Sequence, residues 1–113
     1  MECIFCKIVA GEIPADIVFQ DEEFIAFHDV NPQAPCHILV IPKSHITSIA
    51  EMTSEQSGLI GRLILLAKDL AERENISISG YRLALNTGTD AGQIVPHLHL
   101  HILGGRRLIN ELG

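Results

Sequence analysis

Tryptophan is absent from the 113 residues, and one tyrosine and four phenylalanines are the only other large aromatics. The core cannot be built on rings, so leucine, isoleucine, valine and alanine must fill it. Positive charge is scarce as well. Eight lysines and arginines face fourteen aspartates and glutamates, which leaves a net charge of −6. That balance excludes a nucleic-acid-binding face and a membrane-attracted basic surface, so any anionic ligand must be captured by a local site against the global field. Long apolar runs are missing: residues 63–67 are typical of the longest, and a membrane span takes about 20. Residues 1–6 show neither a basic stretch nor a long apolar one, so no secretory signal is expected. Three cysteines cannot all pair within one chain. These features together predict a reduced, cytoplasmic protein.

What is present is a folding sequence. Hydrophobic residues make up 47% and charged residues 19%, which excludes a disordered chain. A chain of this length buries roughly 65% of its unfolded surface, enough for one core without staples. Residues 1–113 are therefore expected to form a single domain.

Residues 3–10 read as a short helix or turn, ended by Gly11 and Pro14. Residues 17–20 and 24–28 read as strands joined by the acidic turn Asp21-Glu22-Glu23. Residues 31–35 form a loop with two prolines. Residues 37–42, His-Ile-Leu-Val-Ile-Pro, read as a central strand because both faces are apolar. Thr53-Ser54-Glu55-Gln56 carries a capping-box pattern, and apolar residues then recur at steps of three and four from Leu59 to Ala71. Residues 81–86 and 96–103 are the remaining strand candidates. One long helix with about five strands and short connections predicts an α+β fold with a mainly antiparallel sheet.

Six histidines are many for this length, and three of them alternate in His97-Leu98-His99-Leu100-His101. On a strand they share one face, about 7 Å apart, with the leucines turned to the core. Such a row suits a metal ion, or a neutral imidazole attacking a phosphorus or acyl centre while its other nitrogen is held as a donor. The spacing alone leaves both open. Before the row, residues 88–93 offer backbone N–H groups, including that of Gly92, that can converge on a phosphate, and Asn86 and Gln93 offer neutral donors. After it comes Gly104-Gly105-Arg106-Arg107, which also reads as phosphate-site chemistry. The Cys3-x-x-Cys6 pair reads as a metal clip or as two ordinary thiols. Cys36 beside His37 reads as filler rather than a nucleophile.

Residues 97–103 resemble the signature of the histidine triad (HIT) family, three histidines separated by single apolar residues. The resemblance covers essentially the whole chain, with further matching blocks at 3–14, 26–35 and 37–45. Residues 80–86 and the Gly-Gly-Arg106 ending are similar to the branch of histidine triad nucleotide-binding proteins. The resemblance implies a five-stranded antiparallel sheet with one long helix, a short N-terminal helix and a two-fold homodimer. It implies hydrolysis at the α-phosphate of a purine nucleotide, such as an adenosine phosphoramidate, through a nucleotidyl-histidine. His99 matches the nucleophile, His101 a phosphate contact that assists proton transfer, and His37 an accessory histidine. Asn86, Gln93 and Gly92 match the phosphate site, and Asp29 the carboxylate that takes the ribose hydroxyls. Phe5, Ile8, Phe27, His28 and Val30 match the purine pocket, although Phe5, Ile8 and Phe27 also read simply as core. Cys3, Cys6, His45 and His97 match a structural zinc set found in some members. No catalytic metal is implied. Ile94 stands where the branch carries serine. A dinucleoside polyphosphate hydrolase and a nucleotide-binding adaptor with vestigial catalysis are the competing readings.

Overall fold

β-Branched and aromatic residues make the first two strands, the half-exposed β1 (Ile17–Gln20) and the largely buried β2 (Phe24–His28). The turn between them is closed by Asp21, whose Oδ1 accepts from the N–H groups of Glu23 at 2.8 Å and Phe24 at 2.7 Å. The computed structural model describes residues 3–109. Three further strands, β3 (Cys36–Pro42), β4 (Tyr81–Leu85) and β5 (Leu100–Gly104), complete one sheet in the order β1-β2-β3-β5-β4, with every pair antiparallel. β3 is central and buried at all seven positions, as its two apolar faces require.

The two faces of the sheet are covered unequally. Phe24, Ala26, Ile38, Val40, Leu100 and Ile102 point to one side and pack on Leu63, Ala67, Leu70 and Ala71 of the long helix α2 (Ser57–Arg73). Truncating a side chain as buried as Leu63 to alanine costs about 2–5 kcal/mol. Ile25, Phe27, Leu39 and Ile41 point to the other side, where the short helix α1 (Ile4–Val9), chiefly through Phe5, covers them together with Cys3, Ala15 and Val95. The thinly covered side carries the histidines. No helix among the described residues is long and apolar enough to cross a membrane.

The helix boundaries follow local chemistry. The capping pattern at Thr53 serves a 3-10 turn over Ser54–Gln56 that leads into α2, with Gln56 Oε1 accepting from the Thr53 N–H at 2.9 Å. At the other end Asn75 takes a left-handed φ of 62°. Its N–H donates to the Glu72 carbonyl and that of Ile76 to the Ala71 carbonyl, both at 3.1 Å, so the last carbonyls are satisfied.

The sequence pattern predicts the last strand over residues 96–103, with all three histidines on its face, whereas the ladder begins only at Leu100. Residue 98 would fall opposite Pro42 if the β3–β5 register continued, and proline has no N–H to give a ladder. The Leu98 N–H donates instead to Ile46 O at 2.6 Å, and His97 Nε2 donates to Pro42 O at 2.9 Å. The alternation of side chains nevertheless persists: Leu98 joins Leu100 and Ile102 in the larger core, while His97 and His99 keep to the other side.

Candidate active site

Strand parity brings the imidazoles together. His37 on β3 and His101 on β5 are diagonal neighbours, since Leu39 lies opposite His101 and His37 opposite Leu103. Their rings are 5.2 Å apart, those of His101 and His99 5.0 Å, and Phe5 stands edge-on to His99 at 5.1 Å. His97 is fully buried, and His37 and His99 are nearly so.

Burial sets the charge of three of these rings, His37, His97 and His101. It pushes His101 down to about 4, helped by the neighbouring His99 and His37 and opposed by Asp29. Burial also lowers His37, against Asp29, and lowers His97, against its bond to the Pro42 carbonyl. At neutral pH His37, His97 and His101 are therefore neutral, with one N–H and one lone pair each. The hydrogen bonds then assign the protons. Gln33 donates its backbone N–H to His37 Nδ1 at 3.0 Å, so His37 is protonated on Nε2, which donates to His101 Nδ1 at 2.9 Å. His101 is left with its proton on Nε2. His99 Nδ1 lies 2.7 Å from the carbonyl of His97 and must donate to it, which makes Nε2 the lone-pair nitrogen in the neutral ring.

His99 and His101 form one wall of a cleft of about 700 Å³. Phe5, Ile8, Phe27, His28, Asp29, Val30, Asn86 and Gly92 line it with them. Phe5 and Phe27 also belong to the smaller core, so the core reading and the pocket reading share the same side chains. Asp29 accepts from the Asn31 N–H at 2.8 Å through Oδ1, and its Oδ2 lies 3.4 Å from His37 Nε2.

Other expected residues lie elsewhere. His37 sits behind His101 rather than in the wall. Gln93 does not reach the cleft: its Nε2 donates to Thr47 O at 2.8 Å and Val95 O at 3.1 Å, and its Oε1 accepts from the Gly88 N–H at 2.8 Å. It braces the 88–93 loop from outside. Arg106 does not reach the cleft: its guanidinium donates to Gln33 O at 2.7 Å and Arg107 O at 2.9 Å. Among the described residues the wall contains no lysine or arginine, and it carries the two carboxylates Asp16 and Asp29.

The wall also includes residues that the sequence reading passed over: Ile4, Ile13, Pro14, Ala15, Asp16, Asn31, Leu39 and Val95. Ile4 was findable, since it shares the exposed side of α1 with Ile8 at a four-residue step. The 13–16 stretch gave no signal, being a connection that folds back along β2, where Asp16 O accepts from the His28 N–H at 3.0 Å. Ile94 stands at the mouth, 90% exposed.

A second cluster lies beyond His97. Ligand atoms of Cys3, Cys6, His45 and His97 all fall within 4.8 Å of one another. Tetrahedral zinc with bonds of about 2.3 Å to sulfur and 2.0 Å to nitrogen places those atoms roughly 3.5 Å apart. The sulfur–nitrogen separations here are 3.4 Å for Cys3–His97, 3.2 Å for Cys6–His45 and 3.6 Å for Cys6–His97. Nε2 of His97 is committed to Pro42 O, which leaves Nδ1 free to ligate. The four residues fit zinc in both distance and donor chemistry. Asp29, His37 and His101 also converge, but their short contacts belong to the histidine relay.

The α+β sheet with a histidine row beside an apolar cleft defines a class, and comparison with known proteins gives it a family. The family described as "scavenger mRNA decapping enzyme C-term binding" matches residues 2–109. A purine nucleoside phosphoramidase of Escherichia coli is 49% identical over 107 residues, covering 95% of this chain and 90% of that protein. A HIT-like protein of Synechococcus elongatus is 52% identical over 107 residues, covering 95% and 93%. The crystal structure of a HIT family hydrolase from Legionella pneumophila superposes with a TM-score of 0.96 at 47% identity, over 99% of this chain and all of that one. The chain belongs to the histidine triad family.

Proposed function

We propose that this chain, as a single domain of residues 1–113, is a purine nucleotide hydrolase that cleaves adenosine phosphoramidate-type substrates at the α-phosphate through a covalent nucleotidyl-His99. The observation that carries this reading is the bond from His99 Nδ1 to the His97 carbonyl, which leaves Nε2 with its lone pair beside the cleft. The likeness to a phosphoramidase at 49% identity supports the substrate class.

In this mechanism His99 Nε2 attacks phosphorus, the new N–P bond forms, and the P–N bond to the amine breaks with its electron pair going to the amine. The amine needs a proton as it leaves. His101 Nε2–H donates to the phosphoryl oxygen, while the proton reaches the amine nitrogen from solvent as the P–N bond breaks. Water then attacks phosphorus, returns a proton to solvent, and releases AMP with His99 neutral again. His101, Asn86 and the Gly92 N–H are the donors for the developing phosphoryl charge, so the step needs no catalytic metal. Asp29 takes the ribose hydroxyls, and Phe5, Ile8, Phe27, His28 and Val30 hold the purine. Gln93 acts by shaping the phosphate loop.

Zinc on Cys3, Cys6, His45 and His97 would be structural, since four protein ligands leave no open position. Cytoplasmic residence fits the three free cysteines. The homodimer would pair α2 with its copy through Ile64 and Leu65, which are 39% and 61% exposed, and join sheets at the edge strand β4. The absence of lysine and arginine from the described wall favours a phosphoramidate over a dinucleoside polyphosphate. Turnover of a fluorogenic adenosine phosphoramidate by the purified protein tests the reading. An adaptor would bind AMP and release no fluorophore.

A further inference from the structure

The proton pattern of the relay is set from outside the cleft. A backbone N–H can only donate, so Gln33 obliges His37 Nδ1 to accept, His37 Nε2 to donate and His101 Nδ1 to accept in turn. Were that N–H to swing away, His37 could carry its proton on Nδ1, and His101 would then have to turn its own proton inward, away from a ligand. The working direction of two histidines thus depends on the position of one peptide group in the 29–35 loop.

That loop is held by bonds that the proposed chemistry does not otherwise use. Gln33 Nε2 donates to Asn31 O at 3.1 Å, and the Asn31 N–H donates to Asp29 Oδ1 at 2.8 Å. Gln33 O accepts from Arg106 Nη2 at 2.7 Å, across 73 positions in sequence. The approach that makes this possible is close. Gly105 has a φ of +92°, and a Cβ there would lie 3.0 Å from Cβ of Pro35. Both Gln33 and Arg106 are exposed, so the contact adds little to the core.

We propose that Arg106 is a positioning residue: it clamps the loop at Gln33 so that the Gln33 N–H fixes the tautomers of His37 and His101. The consequence for turnover rests on the function proposed above, whereas the tautomer itself can be read without substrate.

The test is long-range nitrogen NMR of the histidine rings in the full-length protein, paired with kinetics on an adenosine phosphoramidate. In the wild type, His37 and His101 should both be protonated on Nε2. Arg106→Ala should give a mixture of His37 tautomers and a kcat lower by about tenfold, within the up to 10²-fold that misplacement costs, with KM within about twofold. Arg106→Lys, which keeps one charged donor, should restore most of both. A His37 tautomer unchanged in Arg106→Ala overturns the proposal even if turnover falls, because Arg106 then acts by another route. A wild-type His37 protonated on Nδ1 overturns it as well. If the wild type does not hydrolyse phosphoramidates, the proposed function falls, and the tautomer spectra still decide this inference.

Discussion

His97 and His99 are joined by a 2.7 Å hydrogen bond from the ring of one to the backbone of the other. The ring of His97 is itself fixed at both ends, by the cysteine sulfurs at Nδ1 and by Pro42 O at Nε2. The proposed nucleophile is therefore oriented by the backbone of a residue whose ring is held at both nitrogens, and the two clusters meet in His97.

The metal cluster gives the first prediction. Freshly purified protein should contain about one zinc per chain. Cys3→Ser/Cys6→Ser should lose it and melt lower by about 5 °C for each kcal/mol the metal contributes. Elemental analysis and calorimetry check this, and wild-type protein without zinc removes the claim while leaving the histidine relay in place.

Acid sensitivity gives the second. His101 is held down to about 4 in the fold, against about 6.5 in an unfolded chain. Between these values the unfolded state binds the extra proton, so stability is full above about pH 6.5 and is lost as pH falls toward 4. His37, also lowered by burial, acts in the same direction. Urea midpoints measured from pH 7 to 4.5 should fall, and His101→Asn should flatten part of that slope. An equal slope in the variant would show that other groups carry it.

Assembly gives the third. Sedimentation at micromolar concentration should report about twice the 12.4 kDa chain mass. Leu65→Asp should shift the protein toward the monomer, since an uncompensated charge in an apolar contact is costly. A wild-type monomer at that concentration contradicts the dimer.

Substrate choice gives the fourth. An adenosine 5′-phosphoramidate should show a higher kcat/KM than diadenosine tri- or tetraphosphate, because the described wall has no cation for the extra phosphates. Ile94→Ser, which places a hydroxyl at the mouth, should raise phosphoramidate turnover selectively. Outright preference for the dinucleotides hands the site to the competing hydrolase reading.

Much of this was legible in the sequence, and the parts that were not have physical causes. β1, β2 and the core of β3 follow from local patterning, and the acidic turn shows itself in Asp21. The true start of β5 depends on Pro42 in a strand more than fifty residues away, which no local window reports. Asn86, Asp29 and the aromatic pocket residues line the cleft because strand ends and α1 carry them there. Gln93 misled because an amide suits a phosphate and a pair of carbonyls equally well, and the fold gave it the carbonyls. Arg106 looked like phosphate chemistry by composition, whereas its partner is a carbonyl brought close by the turn at Gly105.

The central claim is covalent catalysis at His99, and rapid quench into alkaline denaturant, in which an N–P bond to imidazole survives, tests it most directly. Wild-type protein mixed with an adenosine phosphoramidate and stopped within milliseconds should yield a peptide carrying AMP on His99, identified by mass spectrometry. His99→Ala should yield none, should lose turnover by about 10³-fold or more, and should still bind AMP through Asp29 and the purine pocket. Full turnover by His99→Ala, or an adduct on another histidine, contradicts the account.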